Sequence, residues 1–114
     1  MSGSRTSGAG LAASGTMSDI AVPFPGILRT LKIAVMIGAP NDGSNYWSIS
    51  VATAAKSVTL FTTAALAAGG WRTKTVTNLV VPITEAADII MYLYATKVGS
   101  PGALYWSGPA VLLE

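Results

Sequence analysis

The chain has 114 residues, of which 51% are hydrophobic and only 11% charged, against roughly 25% charged in an average soluble domain. That length suggests one domain, and that composition excludes a charge-rich disordered chain over most of its length. The sequence holds no cysteine and no histidine, which excludes a disulfide framework, a zinc ribbon, a thiol nucleophile and the commonest general base.

Seven Lys and Arg against five Asp and Glu leave a net charge of +2. The basic residues Arg5, Arg29, Lys32, Lys56, Arg72, Lys74 and Lys97 are scattered, whereas nucleic-acid binders cluster theirs on one face or run. No nucleic-acid partner is expected. Mean hydropathy is +0.53, yet the longest apolar stretches are interrupted. Lys56 and several Ser and Thr break residues 51–68, and Pro82, Glu85 and Asp88 break residues 79–94. Neither supplies the roughly 20 apolar residues of a membrane-spanning helix. Residues 1–17 lack the apolar core of a secretory signal. The expectation is a soluble protein with no membrane contact, whose sparse charge favours association with copies or partners.

In chain order, residues 1–17 read MSGSRTSGAGLAASGTM and draw 13 of 17 positions from Gly, Ser, Ala and Thr. Such a segment buries too little to offset its ordering entropy. It reads as an N-terminal arm, either flexible or docked on a partner, with Arg5, Leu11 and Met17 as the side chains able to anchor it. From Ser18 the pattern has period 2 and the segments are short. Residues 18–24 form a brief extended run ended by Pro23, Pro25 and Gly26. Residues 27–37 alternate, with Leu31, Ile33, Val35 and Ile37 on one face. Asn41-Asp42-Gly43 reads as a hairpin turn. Residues 46–53 set Trp47, Ile49 and Val51 against Tyr46, Ser48 and Ser50.

Residues 57–63 are rich in β-branched side chains, and residues 64–70 read as a loop or a single helical turn. Residues 71–77 carry Trp71, Thr73, Thr75 and Thr77 on one face. Residues 79–83 contain Pro82, which suits a sheet edge or a strand end. Residues 88–97 are the clearest strand, with Ile89, Met91, Leu93 and Ala95 opposite Ile90, Tyr92 and Tyr94. Apolar on both faces, it predicts burial on two sides. Residues 98–102 make a turn, and residues 103–113 a last strand with a bulge or kink at Gly108-Pro109. A helix competes only at residues 51–68, where Thr, Ser and β-branched residues disfavour it. Together these elements predict an all-β fold. It is an antiparallel β-sandwich or jelly roll of seven or eight short strands over residues 18–114, preceded by the arm at residues 1–17.

Catalytic constellations are absent from the pattern. Glu85 and Asp88 are the nearest carboxylates, and a spacing of three puts them on opposite faces of a strand. A serine nucleophile would need a lysine base, and no Ser-x-x-Lys occurs. The loop from Asn41 to Asn45 offers one carboxylate, too few for a calcium site. The glycines between Gly8 and Gly15 make no phosphate-binding fingerprint. No catalytic, cofactor or metal site is expected, and the chain does not read as an enzyme. Aromatic residues remain as contact candidates, since exposed Trp and Tyr fill a partner's pocket or stack on sugars. Trp47 reads as core. Trp71 and Trp106 read equally as core or as contact, and Tyr105 adjoins Trp106.

The order of segments carries a resemblance. SDIAVPFPGILRTLKIAVMIGAP leads through a proline turn into a long strand, and NYWSISVAT is a Trp-bearing strand. SVTLFTT and WRTKTVTNLVVPITEAADIIMYLYATKVGSPGAL follow, ending in a long apolar strand and a Gly-Ser turn. Residues 18–113 resemble the small β-sandwich domains of tailed-bacteriophage virion proteins, most of all head decoration (cement) proteins and fibre tips. The resemblance implies a homotrimer on the capsid surface, made in the host cytoplasm. Its partners would be the major capsid protein or other virion proteins, its work mechanical bridging of neighbouring subunits, and its cofactors none. It also leaves open a receptor- or carbohydrate-binding spike or fibre tip, or another head–tail component. Fibre proteins are usually much longer, so a free-standing chain of this size favours the cement role.

Overall fold

The computed structural model describes residues 10–22, 24–53, 56–84 and 87–114, with backbone alone for 87–90. Eight strands follow one another: β1 (Gly15–Val22), β2 (Gly26–Ile37), β3 (Tyr46–Thr53), β4 (Ser57–Thr62), β5 (Arg72–Val76), β6 (Val81–Ile83), β7 (Ala87–Val98) and β8 (Leu104–Leu113). No helix occurs among the described residues. All strand pairings are antiparallel and form two sheets, the all-β sandwich that the alternation predicts.

The first sheet runs β1-β7-β3-β4. The second is built around β2. Leu28 pairs with both Val81 and Leu113, and Leu31, Lys32, Ala34 and Val35 pair with both β5 and β8. Therefore β8 holds one edge of β2, while β5 and β6 share the other as one strand broken between Val76 and Val81. At the break Asn78 adopts φ 59°, and Leu79 N–H donates to the Arg29 carbonyl at 3.0 Å. Pro82 sits on this edge, where its missing N–H costs no ladder bond.

The core is what alternation dictates. Leu31, Ile33, Val35 and Ile37 of β2 face Trp47, Ile49 and Val51 of β3 and Met91, Leu93 and Ala95 of β7, all buried. Removing this apolar surface from water, at about 25 cal/mol per Å2, is the main force holding the sheets together. The core also contains Met17, Ile20, Leu28, Leu104 and Trp106. Ser18 and Trp106 fix which edges meet: the Trp106 Nε1–H donates to Ser18 Oγ at 3.2 Å. β1 thus lies over β8, which leaves β4 and the β5–β6 edge together on the opposite side.

Four readings of the sequence are corrected. Strand β1 starts at Gly15 and Met17 is fully buried, so the sandwich begins before Ser18. Met17 fills core volume and is not a partner contact. Its neighbour Leu11 is also built in, exchanging hydrogen bonds of 2.8 and 3.1 Å with Leu104. The Asn41-Asp42-Gly43 turn is not a hairpin, because β2 and β3 belong to different sheets. It bends a crossing loop, where the Asp42 carboxylate accepts from the N–H groups of Ser44 and Asn45 at 2.8 and 2.9 Å. Finally, among its described side chains β7 is buried on one face only, that of Met91, Leu93 and Ala95. Tyr92 and Tyr94 point outward and are only partly buried. The bulge expected at Gly108-Pro109 is present: β8 shifts register there and the peptide bond is cis.

Candidate contact face

The outer face of the second sheet brings two of the contact candidates together. Val35 pairs with Arg72 and Met36 with Tyr105. Trp71, one residue before β5, therefore stands level with Met36, and Trp71, Met36 and Tyr105 form a row across the sheet. Trp71 is 52% exposed. Behind the row come Thr73, Ala34 and Ser107, then Thr75, Lys32 and Ala110. The far end carries Thr30 and the exposed Leu112. Small side chains keep this face flat. Lys32 is its only charge along the paired length of β5 and β2.

The N-terminal segment reaches this face. A Cβ placed on Gly10 would lie 2.9 Å from the Tyr105 ring, and Gly10 has φ 106°. Only glycine allows both that backbone and that approach. From Leu11 the chain passes to the first sheet, where Ser14 Oγ accepts the Lys97 N–H at 2.8 Å and the Lys97 ammonium donates to the Ala12 carbonyl at 2.9 Å. Residues 10–15 thus strap the β1–β8 side of the sandwich.

The remaining candidates are placed differently. Trp106 is fully buried, and its indole N–H is used internally, so of its two sequence readings it takes the core one. Trp47 is core as expected. Arg5 lies outside the described residues. Alternation along β7 could have identified one group that was not singled out, the outward tyrosines. Tyr92 and Tyr94, with Tyr46 near the sheet's end, stand on the outer face of the first sheet beside Ser48, Ser50 and Thr96.

A shallow groove lies at the end of the second sheet between Arg29, Thr77, Asn78, Val80 and Glu114. Within it Arg29 Nε donates to Glu114 Oε1 at 3.0 Å, an exposed ion pair. Its charged groups satisfy each other. Among the described residues no three carboxylates gather in a metal-binding arrangement. The chain matches no family model, no curated protein and no solved structure.

Proposed function

We propose that this protein is a structural virion subunit, a capsid decoration or cement protein, that works by protein–protein contact. The outer face of the second sheet is the contact surface, and the N-terminal segment leading onto it adds reach. The observation that carries this reading is the Trp71–Met36–Tyr105 row: exposed aromatic area on a flat, nearly uncharged sheet, met by the chain at Gly10. Aromatic anchors on such a surface contribute most of the affinity in protein interfaces. The major capsid protein as partner, the capsid surface as location and a homotrimer as assembly belong to the same proposal and come from the sequence resemblance. Many weak copies acting on one lattice would make a modest contact effective.

The test mixes purified protein with capsids that lack it. Stoichiometric binding and a raised temperature of capsid disruption are expected, because a ligand of the assembled state stabilises that state. Trp71→Ala and removal of residues 1–9 should each weaken binding. Capsids that neither bind the protein nor gain stability would refute the role. A second reading, a carbohydrate- or receptor-binding tip, is favoured by the outward Tyr46, Tyr92 and Tyr94 beside serines, since tyrosine and serine are a common contact pair. Binding to glycans lost on Tyr92→Ala would select it.

A further inference from the structure

The β4–β5 side of the sandwich is built differently from the β1–β8 side. On the β1–β8 side, Leu11 pairs with the free edge of β8. On the other, no described residue pairs with the outer edge of β4, which ends its sheet. Thr53 N–H donates to the Lys56 carbonyl and Thr63 N–H to the Trp47 carbonyl. A bulge at Leu60, between the Thr59 and Phe61 pairs, separates these two anchors, so by alternation from Lys56 the main-chain groups of Ser57 and Thr59 point away from β3. Beside this edge, Val58, Leu60 and Phe61 are only partly buried.

Two cations stand in β5, the strand of the second sheet on this same side. Arg72 pairs with Val35 and Lys74 with Ile33, both core residues. Directly paired residues share a face, so the guanidinium and the ammonium stem from the inner side of the sheet. Both are half-buried, and neither has a hydrogen-bond or ion-pair partner among the described residues. An edge strand with inward charges resists pairing with copies of itself. The same charges select for a strand carrying carboxylates.

We propose that the β4 edge accepts an extended segment of another protein in which apolar and acidic side chains alternate. Its backbone would continue the first sheet, and its inward carboxylates would reach Arg72 and Lys74. The occupant is not a second copy. The acidic residues of this chain are Asp19, Asp42, Glu85, Asp88 and Glu114, and no two stand at alternate positions. The surface is separate from the Trp71 row, which lies on the outer face of the second sheet.

The probe is a capped peptide of about eight residues alternating valine and glutamate, titrated into the full chain and followed by amide NMR shifts. Saturable shifts in residues 57–62 are expected, and the valine–lysine counterpart should cause none. Arg72→Glu with Lys74→Glu should reverse that preference. Thr59→Pro removes an outward N–H without touching β3 and should weaken binding about tenfold or more. Arg72→Gln with Lys74→Gln, which keeps size, should also weaken it if the reversed pair fails to fold. Trp71→Ala should leave peptide binding unchanged, which separates this test from that of the capsid role. Equal binding of both peptides, shifts centred away from β4, or no binding at millimolar peptide would overturn the proposal.

Discussion

One threonine organises the end of the sandwich where three loops meet. Thr63 Oγ1 accepts the Trp47 N–H at 2.8 Å and donates to Asn41 Oδ1. Asn41 Nδ2 then donates to the carbonyls of Pro101 and Ala39 at 2.8 and 3.0 Å, and the Trp47 indole N–H to the Gly102 carbonyl at 3.1 Å. Thr63 is fully buried, so nothing else can satisfy these groups. Thr63→Val fits the space but strands a buried donor and a buried acceptor, at about 1–3 kcal/mol each. A melting temperature lowered by more than about 8 °C is expected. Thr63→Ser keeps the hydroxyl and should lose much less; equal losses in the two variants would show that packing, not the network, matters. Asp42 makes a smaller, pH-dependent contribution. The Ser44 N–H, then the Asn45 side chain, hold its carboxyl below the usual range, which is near ~3.9. A depressed folded value means stability that is present above the unfolded value and lost as pH falls through the folded one. The turn should therefore weaken only below about pH 4, visible in the NMR titration of the Asp42 carboxyl and absent in Asp42→Asn. A carboxyl titrating at its ordinary value would refute this account.

At the scale of elements, the strands were legible because alternation and punctuation agree. Leu31, Ile33, Val35 and Ile37 announce the inner face of β2, and Pro25, Asn41 and Gly99 lie outside strands, where the chain turns. Partners were not legible. Only β3 and β4 are both consecutive and paired; β1 joins β7 and β2 joins β8. No local pattern encodes which distant strand supplies a ladder. The contact row was hidden for the same reason, since Trp71 and Tyr105 meet only through Met36. Composition misled at the N-terminus: Gly, Ser and Thr suggested an arm through residue 17, but Met17 carries enough apolar surface to anchor the start of β1. This sets a prediction. Removing residues 1–9 leaves every described ladder pair in place, so melting should be nearly unchanged. Removing residues 1–17 deletes the Leu11–Leu104 bridge, the Gly15 and Thr16 pairs and the buried methionine. Loss of one buried methionine alone costs about 2–5 kcal/mol, a large share of a small domain's stability. The longer truncation should melt far lower or fail to fold; equal melting of the two would place Met17 outside the stabilising core.

Across the whole molecule, the distant pairings make the sheets interdependent. Gly15 must find Ala95, and Leu28 must find Leu113, before either ladder forms. Closing such loops costs entropy before contacts repay it, and folds dominated by distant pairings take roughly milliseconds to seconds. Neither sheet can hide its inner face without the other, because Val35 and Ile37 of one pack in the same core as Trp47 and Leu93 of the other. Folding should therefore be one cooperative event. Nature has placed a reporter in each sheet: Trp47 in β3 and Trp106 in β8, both fully buried, while Trp71 stays half-exposed and changes little. With Trp71→Phe as background, Trp47→Phe leaves only Trp106 to report, and Trp106→Phe leaves only Trp47. Each variant's fluorescence is compared with its own circular dichroism, so a shift in stability caused by the substitution cancels. In both, the two signals should give one midpoint and one refolding rate. If fluorescence of either tryptophan changed at a denaturant concentration where the circular dichroism of the same variant did not, the sheets would be separable units, and the shared core would not be what binds them.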